Sequence, residues 1–340
     1  MSLETLLGAA TEDLRQATAV DPSSGLARLK RTHRRRRTSR LTALAVTLVL
    51  AGSGTLWSLS RSTPEPEPVA PLRPAHNGAL VSVASGSLVV VDGELDHRPT
   101  DLPQFPRLTF SGDGHELLYL DDQHRLVAFD HRTGTSRELA ECADQYCDAA
   151  VSPDKTRVAL AQQESIVVQG PEGTSTVDLP GLLPFGPAWS PDGTWLAFGS
   201  HQGLYVMRAD GTDLRQVDHT VLPEWSLALA PAWSPDGRHL AFLTGRPGGS
   251  SPDSDERPVR YAVTTVDLSS GERRTLTGAG ACFCTNRPPP AVAWSPDGRL
   301  IGFVGTGDRA GIFAVPATGG AVERMSTQPA GGTLAWQPLP

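Results

Sequence analysis

Four cysteines raise the first chemical question, and they sit in two short stretches: "CADQYC", with Cys142 and Cys147, and "CFC", with Cys282 and Cys284. An even number of thiols in an exported domain points to disulfides. Three connectivities are open, with a thiol or metal site as the alternative. A Cys142–Cys147 bridge is geometrically easy, whereas Cys282–Cys284 would close a very small, strained ring. The nine histidines are scattered, and the pair in "HRLVAFDH" (124–131) lacks zinc-ligand grouping. P-loop, G-x-G-x-x-G, H-E-x-x-H and EF-hand patterns are missing. The residues therefore imply no metal, no cofactor and no catalytic group. An enzyme that gathers one residue per repeat into a channel-mouth site stays as an alternative.

Aspartates and tryptophans recur at fixed phase. Asp113, Asp154, Asp192, Asp236 and Asp297 each follow a serine by two residues, and Trp189, Trp233, Trp294 and Trp336 each end a short apolar run. The aspartates suggest calcium, but their place in "SPDG" turns makes a structural role the better reading. A row of tryptophans suggests a carbohydrate platform. At one per repeat, packing between neighbouring units is the better account.

The elements that position these residues form a repeat. "TFSGDGHELLYL" (109–120), "AVSPDKTRVALA" (150–161), "AWSPDGTWLAFG" (188–199), "AWSPDGRHLAFL" (232–243) and "AWSPDGRLIGFV" (293–304) are five copies, and "LAWQPLP" is a truncated sixth. Measured between the serines and then to Gln337, the intervals are 41, 38, 44, 61 and 42 residues. Unit three reads as four strands with hairpin turns at Asp192–Gly193 and Asp210–Gly211. Four short antiparallel strands at this period make a propeller blade. "ALVSVAS" (79–85), "SLVVVDG" (87–93) and "ELDHRP" (94–99) lack an inner strand, which 333–336 can supply. The expectation is an all-β six-bladed propeller over 79–340, closed by one C-terminal and three N-terminal strands.

The copies resemble the TolB-type, WD-like propeller repeat over roughly residues 79–338. TolB carries an α/β domain before its propeller, and here only about seventeen residues separate the apolar segment from the first strand. The resemblance thus implies the propeller and not TolB's partners. The same repeat gates prolyl-oligopeptidase-like hydrolases, which need a G-x-S-x-G elbow that this sequence lacks.

Two insertions break the period: "GRPGGSSPDSDERPVR" (245–260), between the second and third strands of unit four, and "AGACFCTNRPPP" (279–290), before unit five. Both links emerge on one propeller face, and loops that break a repeat carry binding function. Arg246, Asp253, Asp255, Glu256, Phe283, Asn286 and Arg287 are the candidate contacts for a protein, peptide or cell-envelope partner.

The N-terminal part is of another kind. Residues 1–40 hold nine basic and four acidic groups, against twenty-one and thirty-three in residues 41–340. "RLKRTHRRRRTSR" (28–40) precedes nineteen uncharged residues, 41–59. As a helix these span about 28 Å, enough to cross a bilayer core. Basic residues stay inside, so the tail is expected in the cytoplasm and the propeller outside, on a single-pass anchor. A topogenic role suits the arginines better than nucleic-acid binding. "STPEPEPVAPLRP" (62–74), within the linker 60–78, reads as an extended spacer. Leu3, Leu6, Leu7, Ala10 and Leu14 share one helical face, so residues 2–27 are a possible dock for a cytoplasmic factor. Lys30 and Lys155 are the only lysines, as in a GC-rich bacterial source, and such tails resemble those of actinobacterial membrane proteins linked to sigma factors. The leading expectation is a membrane-anchored, extracytoplasmic, non-catalytic binding module; the alternative is a transmembrane regulator.

Overall fold

The computed structural model describes residues 77–103, 107–142, 147–219, 231–247, 259–278, 282–284, 291–305, 310–328 and 333–339; for 245–247, 259–260 and 282–284 it describes the backbone alone. The tail (1–40), the apolar segment (41–59) and the linker up to residue 76 lie outside the described residues. Contacts divide the chain into Met1–Pro68 and Val69–Pro340, and every described residue belongs to the second unit.

The chain forms a six-bladed β-propeller. Its strands, in order, are β1 (Leu80–Ala84), β2 (Ser87–Asp92), β3 (Leu108–Phe110), β4 (Glu116–Leu120), β5 (Arg125–Asp130) and β6 (Thr135–Glu141). Next come β7 (Cys147–Val151), β8 (Val158–Gln162), β9 (Ser165–Gly170), β10 (Gly173–Asp178), β11 (Phe185–Trp189), β12 (Trp195–Ser200), β13 (Gly203–Arg208) and β14 (Arg215–Asp218). Unit four holds β15 (Ala232–Trp233), β16 (His239–Pro247), β17 (Val259–Asp267) and β18 (Arg273–Thr275). β19 (Cys282–Cys284), β20 (Val292–Trp294), β21 (Leu300–Gly305), β22 (Gly311–Pro316), β23 (Glu323–Ser326) and β24 (Leu334–Trp336) complete the chain. The sheets run β3-β4-β5-β6, β7-β8-β9-β10, β11-β12-β13-β14, β15-β16-β17-β18 and β20-β21-β22-β23, and the sixth is β24-β1-β2. Within a blade most antiparallel neighbours follow one another in sequence, joined by short turns, whereas β24 and β1 come from opposite ends of the propeller.

Two expectations change. Residues 94–99 form no strand, so the sixth sheet has two N-terminal strands among the described residues. Pro99 cannot donate to a ladder, and the His97 N–H instead donates to the His131 carbonyl of the first blade. The insertions, read as loops, are partly ladder: the first begins and ends as ladder, and the second contains a strand. β16 and β17 pair from His239↔Asp267 out to Pro247↔Val259, and β19 adds itself to β17 through Val259↔Cys284 and Tyr261↔Cys282.

The serine turns explain why the same letters recur. In each, the serine hydroxyl donates to the aspartate two residues on, at 2.5–2.7 Å. The same Oγ accepts the backbone N–H five residues on, where the second strand begins. The aspartate also accepts the intervening N–H. The serines are buried, so these bonds satisfy hydroxyls that water cannot reach. The turn's fourth residue has φ of 69–72° in four copies, where glycine is unstrained. Lys155 takes that position in unit two at φ 61°. Its Nζ lies 2.6 Å from Asp113 Oδ2 and 3.0 Å from Glu116 Oε2 of the preceding blade, which offsets the backbone cost.

Tryptophans join the blades. Trp189 Nε1 donates to the Ala150 carbonyl at 3.1 Å, Trp233 to Ala188 at 3.0 Å and Trp294 to Ala232 at 3.1 Å. Each acceptor lies on the inner strand of the blade before. Trp336 is 6% exposed, and its Nε1 is buried without a partner. Trp189→Phe and Trp336→Phe remove similar ring area, but only the first breaks an indole hydrogen bond to the neighbouring blade. Urea midpoints should show Trp189→Phe to be the more destabilising by about 1–2 kcal/mol, the worth of a buried hydrogen bond. Equal losses would contradict the stitch.

The turn carboxylates set an acid limit. The Ser190 hydroxyl and the Thr194 N–H hold Asp192 below the usual carboxylate range, and Ser152 and Thr156 do the same for Asp154. Burial pushes Asp113 up, but Lys155, Ser111 and the His115 N–H outweigh it and hold the carboxyl well down. A depressed native pKa means stability that is present above the unfolded value of about 4 and lost as pH falls towards the native one. Melting temperature should therefore fall steeply below about pH 4, and Asp192→Asn should lower it at pH 7 while flattening that fall. Parallel pH profiles for both proteins would refute this.

Candidate functional site

The inner strands β24, β3, β7, β11, β15 and β20 surround a central channel of about 530 Å³. Each inner strand runs into its serine turn, so the channel has two unlike mouths. At the turn mouth stand Pro153, Pro191, Pro235, Pro296 and Pro338, with Gly112 in the first blade. A side chain on Gly112 would meet the Pro153 carbonyl at 2.6 Å, which accounts for the missing proline. Alanines and tryptophans line the wall, among them Ala149, Ala188, Trp233 and Trp294.

The other mouth is made by the residues four before each serine. Arg107, Asp148, Gly186, Ala291 and Thr333 hold that position among the described residues. Arg107 Nε lies 2.7 Å from Asp148 Oδ1, and the Gly186 N–H donates to Asp148 Oδ2 at 2.9 Å. The Leu108 N–H donates to Thr333 Oγ1 at 3.0 Å, which ties the arginine's strand to β24. One carboxylate thus links three blades and holds the guanidinium by its Nε edge. Among the described residues, Arg107 Nη2 is buried with no hydrogen-bond partner. Neither Arg107 nor Asp148 was singled out from the sequence. The signal was an Arg–Asp pair in adjacent units at a position that is small or neutral in the others.

The sequence candidates divide by place. In an antiparallel blade the links between second and third strands, and between one blade and the next, leave by the Arg107 mouth. There the Cys142–Cys147 disulfide closes the link into β7, one of the bridges the sequence allowed. The side chains of Cys282 and Cys284 are outside the description. Arg246 lies opposite Arg260 in the ladder, and Arg260 lies opposite Phe283, so the backbone brings the two insertions together. Asp253, Asp255, Glu256, Asn286 and Arg287 lie outside the described residues. Asp192, Asp236 and Asp297 are on the turn side, each engaged by its own serine and turn. Among the described residues no group of three His, Cys, Asp or Glu is placed to hold a metal ion.

Position five after each serine faces the next blade with changing chemistry. Glu116 meets Lys155 and Arg137, the Arg157 guanidinium lies 4.6 Å from the Trp189 ring, and His239 lies 6.4 Å from Trp294. Trp195 packs in one cluster with Trp233, and Leu300 in another with Trp336. Arg208 and Arg215 lie over the Trp195 ring, at 5.0 and 5.6 Å. These contacts are absorbed in blade packing.

No protein-family model and no curated protein matches the sequence. Solved structures match the fold. TolB from Acinetobacter baumannii aligns with TM-score 0.59 at 16% identity, over 77% of this chain and 67% of that one. A putative TolB from Agrobacterium tumefaciens aligns with TM-score 0.51 at 18% identity, over 75% and 91%. A chain of a nidogen–laminin complex aligns with TM-score 0.56 at 11% identity, over 76% and 98%. At these identities the likeness is one of architecture: the chain carries a TolB-like six-bladed β-propeller.

Proposed function

We propose that this chain is a non-catalytic binding module, anchored by residues 41–59 in the cell membrane, with its propeller outside and its Arg107 mouth turned to a protein or peptide partner. One observation carries this reading. The departures from the regular blade gather on a single face: the Cys142–Cys147 link, the lengthened β16–β17 ladder and the added β19. Nothing in the repeat requires them, and the opposite face keeps its short turns. A propeller of this architecture occurs in a nidogen–laminin complex, a protein–protein assembly. The disulfide suits an oxidising compartment. The basic run before an uncharged nineteen-residue segment supports the orientation.

A second reading makes the chain a transmembrane regulator whose residues 2–27 hold a cytoplasmic factor such as a sigma factor. The apolar face of Leu3, Leu6, Leu7 and Leu14 favours it. Leu6→Glu with Leu14→Glu would abolish signalling under that reading and leave a pure binding module unaffected.

The leading reading has two tests. A cysteine placed at Ser251 should react with a membrane-impermeant maleimide in intact cells; protection until lysis would overturn the topology. A photo-crosslinking residue at position 246 should capture a discrete partner that the same residue at Thr194, on the turn side, does not. Equal capture from both faces would remove the face assignment.

A further inference from the structure

We propose that the Arg107 mouth of the channel receives a carboxylate carried on an apolar body. This deepens the binding-module reading and rests on it for the choice of face. Arg107, paired with Asp148 at the mouth, is the one cation among the described residues that line the channel. The rest of the described lining is uncharged, mostly alanine, leucine, proline and aromatic side chains. An apolar cavity with one convergent cation orients a ligand by a single acidic group.

The guanidinium is built for that task. Asp148 holds it by Nε, and the Gly186 N–H holds Asp148 in turn. The side chain is 29% exposed, so part of it stays open to the channel while Asp148 holds Nε. A carboxylate meeting the open part of the guanidinium would be held there by a charge-assisted hydrogen bond. Asp148 already balances the charge, so the mouth suits a planar monoanion better than a phosphate dianion, which would call for further cations. The body behind the carboxylate would lie along the aromatic wall, where Trp189, Trp233, Trp294 and Trp336 report on it. A peptide's terminal carboxylate and a small organic acid share this chemistry.

The test is tryptophan fluorescence titration of the full-length protein in detergent at pH 7 with two probe pairs. One pair is N-acetyl-Leu-Phe as free acid and as amide; the other is 4-phenylbutyrate and 4-phenylbutanol. At least one acid should bind about tenfold or more tightly than its neutral partner, and Arg107→Gln should reduce that preference to under about twofold, with Arg107→Lys between. Preference confined to the dipeptide pair identifies a chain terminus as the source; preference confined to phenylbutyrate identifies a small acid. Equal binding of acid and neutral probes to the native protein, or no binding of either up to about 10 mM, overturns the proposal. That comparison needs no variant, so it decides even if Arg107→Gln fails to fold. Crosslinking at position 246 reads the partner face independently. A missing acid preference with intact crosslinking refutes this inference alone.

Discussion

Each blade has an inner strand with one paired and one open edge, and the open edges face the channel. Bonds between blades must therefore come from side chains. Three inner-strand carbonyls, each already turned towards the second strand of its own blade, take an indole N–H from the following blade as a further donor. This fixes several features together. The donor must come once per repeat, at constant phase, from a side chain long enough to cross between blades. Tryptophan is the apolar residue that meets these demands, because it brings both a large packing surface and a donor. The stitch then fixes the spacing of neighbouring inner strands, and so the bore of the channel.

The serine turn serves the same end from the other side of the strand. By holding the start of the second strand against the end of the first, it fixes the register that aims the tryptophan. Where the stitch is lost, other bonds hold the ring. Gln337 replaces serine in the sixth copy. Its Oε1 accepts the Ala79 N–H at 2.9 Å, and its Nε2 donates to the Gly114 carbonyl at 2.9 Å, so one side chain reaches both the N-terminal strands and the first blade. Phe110 and Val151 bring no donor, and there the first and second blades are held by the Lys155–Asp113–Glu116 cluster and by Arg107–Asp148. Ion pairs thus join the first and second blades, where Val151 brings no indole.

How much was legible follows from this. Repeat, blade count and strand order could be read because turn chemistry and two-residue alternation are local, and local signals survive in sequence. Residues 94–99 misled because a neighbouring blade, and no local rule, decides their partner: the His97 N–H goes to His131 rather than to β2. β19 was hidden for the same reason, since "CFC" has no strand pattern until the lengthened β17 offers it an edge. Arg107 and Asp148 are forty-one residues apart in sequence, and they meet only when the copies are stacked in register. The missed site is therefore written in a column of the repeat, where a reading along the row could not find it.

Reading by column also separates packing from function. The column two after the serine is aspartate in every full copy, and its carboxylates are spent on their own turns. The column five after the serine varies among Glu116, Arg157, Trp195, His239 and Leu300, yet each of these is absorbed by the next blade. Variation alone therefore does not mark a site. The column four before the serine varies too, but it lies at the channel mouth, where Arg107 stays partly exposed. There a side chain added to one copy faces the bore, and its cost in blade packing is small. A ring of near-identical units can acquire a binding function at such a position without disturbing the stitches, because the units stay equivalent in the columns that hold them together. Arg107 departs from its column, and Asp148 beside it turns that departure into an oriented group.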